Sequence, residues 1–278
     1  MLRIVGVIVV GYVLLVLLIR ALEPRLVFAP GSARHLTPPP PSLGLDPETV
    51  RFRAEDGVAL SAWAMRPIAP TPVARWLLIC HGNAGNLSEG GRDQHYAGLR
   101  ALGLGILAFD YRGYGESEGS PDERGVYLDA VAAYRYLRDS LGVPPARIVI
   151  FGHSLGSAVA VELASREPAA GLILDGALLS AVARGQEIYP WLPVRLIARN
   201  RFESDRKIGR LTLPKLFLHA RADDVVPIDH GERLFALAPE PKQFVPLGGG
   251  HGDAFLVDSA GYYGAVAAFM RDLQVPRP

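Results

Sequence analysis

The chain has 278 residues, 49% hydrophobic and 21% charged, with a formal net charge of +1. That length and apolar content exclude a wholly disordered chain, and the near-neutral balance offers no basic surplus for a nucleic-acid partner. One cysteine, Cys80, excludes an internal disulfide, and the 7 histidines are too scattered to pair as zinc ligands, so no metal or other cofactor is expected.

The first element is apolar on every face. Ile4 to Ile19 carries no charge, and Arg3 and Arg20 bracket it. A bilayer span needs about 20 apolar residues, with a lower limit near 17. Arg20 can snorkel, which lets Ala21 and Leu22 extend the run. The rival is a cleaved signal peptide, whose apolar core runs about 7–15 residues and is followed by small residues. Glu23-Pro24-Arg25 follows here instead. Residues 1–25 therefore read as a single-pass membrane anchor. Arg3 on one side and Arg20, Arg25 and Arg34 on the other give a nearly even balance, leaning slightly toward a cytoplasmic C-terminal domain.

Residues 26–49 are proline-rich, with Pro38 to Pro41 consecutive, and read as a semi-rigid linker or edge loop. From residue 50 to 276 strand and helix signals alternate. Val50–Phe52 and Val58–Met65 read as a strand pair around Glu55-Asp56-Gly57. Short apolar runs follow at Trp76–Cys80, Ile106–Asp110, Ile148–Phe151, Leu172–Leu174, Leu216–His219 and Phe244–Leu247. Helical patterns lie among them at Glu123–Leu137, Ser157–Ala164, Gly231–Ala238 and Gly261–Leu273. Apolar strands separated by helices predict an α/β domain with a mostly parallel sheet, helices on both faces. Most of 177–211 fits no strand. It reads either as a short lid or as a plain crossover between parallel strands.

The chemistry starts at Gly152-His153-Ser154-Leu155-Gly156, a G-x-S-x-G pentapeptide. Serine and glycine are common, so context decides. An apolar strand precedes it and a helix opening on small residues follows, the strand–turn–helix setting of a nucleophile elbow. Ser154 is the expected nucleophile; Cys80, at the end of an apolar run, reads as a buried strand residue. A serine hydroxyl needs a base. Of the histidines that follow, His219 lies in an apolar strand and His230 opens a helix as a surface residue. His251, in a glycine-rich loop after the last strand, is the expected base. The acid should follow the preceding strand, where Asp223 and Asp224 compete; Asp223 is preferred because Val225, Val226 and Pro227 would pack beneath it. The backbone N–H groups of Asn83 and Leu155 are the expected oxyanion donors.

These motifs resemble the α/β-hydrolase superfamily, and within it a membrane-anchored, serine aminopeptidase-like branch whose oxyanion loop reads HGNAGN and which includes protein depalmitoylases. The resemblance rests on HGNAGN at 81–86, FDYRGYGESEG at 109–119, GHSLG at 152–156, ADDVVP at 222–227 and GGGHGD at 248–253. It implies the α/β-hydrolase fold, places nucleophile, acid and base on Ser154, Asp223 and His251, and leaves Asp110–Gly115 a structural loop. The expected function is hydrolysis of carboxylic ester or thioester bonds, with amides as a further class, through an acyl-enzyme. The anchor suggests a small-molecule or lipid-like ester substrate. The alternatives are acyl transfer or peptidase action on the same fold, or a non-catalytic scaffold that binds a small molecule or protein.

Overall fold

The computed structural model describes residues 2–69 and 74–273. Helix α1 (Leu2–Val27) is followed by strands β1 (Glu48–Arg53), β2 (Ala59–Met65) and β3 (Trp76–Cys80). Helix α2 (Arg92–Ala101), β4 (Gly105–Phe109), α3 (Glu123–Arg135), β5 (Ile148–His153), α4 (Leu155–Arg166) and β6 (Gly171–Asp175) come next. Then follow α5 (Ala181–Ile188), α6 (Val194–Ile197), β7 (Lys215–Ala220), α7 (Ile228–Leu237), β8 (Lys242–Leu247), α8 (Ala254–Val257) and α9 (Ser259–Asp272). All eight strands were expected within a few residues. Helix α2 was not. It contributes only His95, Tyr96 and Leu99 to the interior, too few for a visible apolar stripe.

The strands form one sheet in the order β1-β2-β4-β3-β5-β6-β7-β8. β2 runs antiparallel to β1 and β4, and every pairing from β4 to β8 is parallel. Side chains alternate between faces along each strand. Leu78, Ile150, Leu174 and Phe217 pack on one face with Val126 and Ala130 of α3 and Val159 of α4. Leu77, Val149, Ile173 and Leu216 pack on the other with Tyr96 and Leu99 of α2 and Tyr262 and Val266 of α9. A parallel sheet covered on both sides needs such doubly apolar strands.

Helix starts follow local chemistry. Asp122 accepts a hydrogen bond from the Gly125 amide at 2.6 Å to cap α3, and Ser180 caps α5 through the Ala183 amide at 3.0 Å. The loop after β4 is held by Arg112, whose guanidinium reaches Asp129 at 2.8 Å and Asp56 at 2.7 Å. That matches its reading as a structural loop.

The 26 residues of α1 rise about 39 Å at 1.5 Å each, longer than a hydrocarbon core of about 30 Å. By length and composition it can cross a membrane. The proline-rich segment after it lies against the domain. Phe28 is buried in the core, Ala29 bridges Ala84, and Arg34 donates to the Gly113 carbonyl at 2.9 Å. Prolines leave few backbone donors unmet, so the segment can run along a surface without joining the sheet.

Candidate active site

Ser154 sits between β5 and α4 with φ 55° and ψ −123°. A positive φ is costly for a residue with a side chain, and here the chain reverses within one residue. The flanking glycines make room for it. A Cβ on Gly152 would collide with the Gly156 carbonyl oxygen, and one on Gly156 with the Cys80 carbonyl oxygen. The Ser157 hydroxyl donates to the Ser154 carbonyl at 2.6 Å and accepts from the Leu178 amide at 2.9 Å, tying the turn to the loop after β6.

His251 and Asp223 arrive from the loops after β8 and β7. Ser154 Oγ lies 2.8 Å from His251 Nε2, and His251 Nδ1 lies 2.7 Å from Asp223 Oδ2. The other carboxylate oxygen of Asp223 accepts from the Val226 amide at 2.7 Å and the Val225 amide at 3.0 Å. Burial pushes the Asp223 carboxyl up, but the His251 ring and the Val226 amide outweigh it and hold it below the usual carboxylate range. Asp224 is exposed, and its backbone carbonyl accepts from Arg184 at 3.1 Å. The structure thus brings Ser154, Asp223 and His251 into one hydrogen-bonded line.

The two expected backbone donors flank Ser154. Leu155 opens α4, where the first N–H groups lack intrahelical acceptors. Asn83 lies in the loop after β3, and among the described residues no acceptor meets its amide. Its other groups are engaged: the carbonyl accepts from Tyr114 Oη at 2.8 Å and the Ala29 amide at 3.1 Å, and the side chain donates to the Val27 carbonyl at 3.1 Å. The loop beside Ser154 is therefore fastened to the end of α1.

A family model described as the alpha/beta hydrolase fold matches residues 75–200. An uncharacterized protein of Mycobacterium tuberculosis is 39% identical over 227 residues, which is 81% of this chain and 80% of that one. The chain belongs to the α/β-hydrolase family. A lysophosphatidylserine lipase of Danio rerio, ABHD12, is 33% identical to this hydrolase over 237 residues, 70% of this chain and 62% of its own length. The Pyrococcus furiosus esterase Pf2001 superposes with a TM-score of 0.72 at 21% identity, over 89% of this chain and 99% of that one, a likeness of fold.

Other titratable groups of the hydrolase take different places. Cys80 is fully buried, and burial pushes its thiol far up, which leaves it unreactive. His81 is wedged against Tyr111 and Tyr114, with Nδ1 2.7 Å from the Gly82 carbonyl oxygen. His219 is buried in β7 as expected, with Nε2 2.8 Å from the Val226 carbonyl oxygen. His230 corrects an expectation: it is fully buried, not on the surface. Its Nε2 lies 2.9 Å from Glu187 on α5, an element that local sequence does not place above α7.

One constellation was missed. His153, at the variable position of the pentapeptide, has Nδ1 3.1 Å from Asp175 Oδ2, and that oxygen also accepts from Tyr262 Oη at 2.9 Å. Burial would raise the Asp175 carboxyl, but His153 and Tyr262 keep it below the usual range. The signal was available: Asp175 ends β6, beside the end of β5 that carries His153.

Two cavities adjoin the Ser154–His251 pair, one touching each residue. One, of about 210 Å³, is lined by His81, His95, His153, Asp175, His251 and Phe255. The other, of about 300 Å³, has Asn83, Ser154 and Leu155 at its base and apolar residues of α1, α5 and α6 along its walls. Segment 177–211 both links the parallel neighbours β6 and β7 and forms this wall.

Proposed function

We propose that this hydrolase is a serine esterase acting on lipid-like esters or thioesters. The observation that carries the reading is the hydrogen-bonded line Ser154–His251–Asp223, whose serine lines an apolar cavity. Ser154 Oγ attacks the acyl carbonyl while His251 Nε2 takes its proton. Asp223 fixes the imidazole tautomer and stabilises the imidazolium. The Asn83 and Leu155 amides receive the oxyanion. His251 then protonates the leaving alcohol or thiol, and the ester bond to Ser154 remains. Water, deprotonated by His251, attacks that ester and releases the carboxylic acid and the free serine.

The larger, apolar cavity suits the acyl chain and the smaller, histidine-lined one the leaving group. Helix α1 would hold the enzyme at a membrane, where such esters reside. Fluorophosphonate labelling tests the reading. The wild-type protein should be labelled at Ser154 and hydrolyse p-nitrophenyl esters; Ser154→Ala should lose the label and about 10⁶-fold in kcat. An unlabelled, folded wild type would instead support a binding scaffold.

A further inference from the structure

We propose that α1 is a wall of the acyl site as well as a tether, and that the acyl chain enters the cavity beside Ser154 sideways from the membrane leaflet around α1. This rests on the esterase reading above.

The first observation is periodicity. On an otherwise exposed helix, the half-buried side chains from mid-helix onward include Val16, Ile19, Glu23 and Val27. Spacings of three and four residues put them on one face. That face meets α5 and α6: Val16 and Ile19 pack on Val182, Leu192 and Val194. Polar ties fix the pose. Arg20 donates to the Ile197 carbonyl at 2.9 Å, and Glu23 accepts from the Asn200 side chain at 2.6 Å. Ile19, Leu26 and Val27 then line the cavity that has Ser154 at its base.

The second observation is depth. The contacts begin at Tyr12, whose hydroxyl donates to the Trp191 carbonyl at 2.9 Å. From Ile4 to Tyr12 the helix rises only about 12 Å, well short of a hydrocarbon core of about 30 Å. A bilayer seated on the apolar run must therefore reach past Tyr12, to the stretch that α5 and α6 touch. Their outer side is built for that depth. Leu196 is 80% exposed and Trp191 54%, with Ile188 and Tyr189 exposed beside them. Aromatic side chains of this kind favour the membrane interface. Apolar side chains standing in water would be costly; in the leaflet they are not.

The test uses full-length protein in phospholipid nanodiscs and the ratio of kcat/KM for p-nitrophenyl laurate to that for the butyrate. Ile19→Trp fills the cavity and should lower that ratio about tenfold or more, since each excluded methylene removes burial energy. Ile19→Ala should move the preferred chain toward palmitate. Leu17→Trp, on the lipid-facing side of α1, should leave the ratio at the wild-type value. Should Ile19→Trp fail to fold, the palmitate shift in Ile19→Ala decides alone. Ser154 labelling is read in every sample: labelled variants with an unchanged ratio sink the wall, whereas an unlabelled wild type sinks the esterase reading as well. Depth is read separately. Trp63 and Trp76 are buried, which leaves Trp191 as the exposed member of 3 tryptophans. Brominated lipids should quench its fluorescence, and unquenched emission would overturn entry from the leaflet.

Discussion

Asp223 and Asp224 are adjacent in sequence and opposite in environment. The first meets His251 and two backbone amides, and the second faces solvent. Asp223→Asn should keep the loop packed but present the wrong hydrogen-bond partner to the imidazole, lowering kcat by about 10⁴. Asp224→Asn should stay within about twofold of wild type, since changes at exposed positions are usually small. Ester hydrolysis at pH 8 distinguishes them. His95 makes a second residue-scale prediction. Burial lowers its pKa from 6.5 to about 4, with rings of Phe151, Phe255 and Tyr262 around it. The unfolded chain therefore binds this proton before the folded one does. Its stability contribution is full above pH 6.5, falls on acidification and levels off below about 4, a loss of about 3 kcal/mol. His95→Phe should flatten that acid limb, read as Tm against pH. At this scale the grouping of Ser154, Asp223 and His251 was legible from motifs alone. His230 was misread, because its burial depends on a glutamate 43 residues away.

Among the elements, the doubly apolar strands declared themselves, because a buried parallel sheet leaves no polar face to confuse the pattern. Helix α2 stayed hidden behind its polar surface, and helices α5 and α6 behind their shortness. The turn from β5 to α4 depends on the glycine pair. Gly156→Ala drives a methyl group into the Cys80 carbonyl oxygen and should cost several kcal/mol, on the order of 3 or more, or abolish folding. Denaturant unfolding or soluble yield reads this. The Arg112 anchorage is the other element-scale weak point. Asp129 is fully buried, and Asp129→Asn would leave the guanidinium only the more exposed Asp56 carboxylate as its anion, at a cost of about 1–3 kcal/mol. A denaturation midpoint that did not move would contradict that role.

For the whole molecule, α1 supplies the proposed membrane attachment. Wild-type protein should sediment with membranes and resist alkaline carbonate extraction, while a chain lacking residues 2–22 should be extractable. That deletion removes the whole helical wall, unlike the mere widening by Ile19→Ala, so long acyl chains lose the surface they pack on and activity toward long-chain esters should fall further than toward short ones. The apolar run itself was plain in the sequence. Its docking on α5 and α6 was not, since within the apolar run the half-buried Val16 and Ile19 look no different from their exposed neighbours and only the fold tells them apart.

The bond from Asn83 to the Val27 carbonyl, and the Ala29–Ala84 bridge beside it, tie the end of the helix directly to the loop beside Ser154. Were the helix seated in a bilayer, the centre would ride at one fixed height and sample a plane instead of a volume. Turnover would then track the number of ester molecules per unit area, and diluting the substrate with inert phospholipid at constant bulk concentration would slow the reaction.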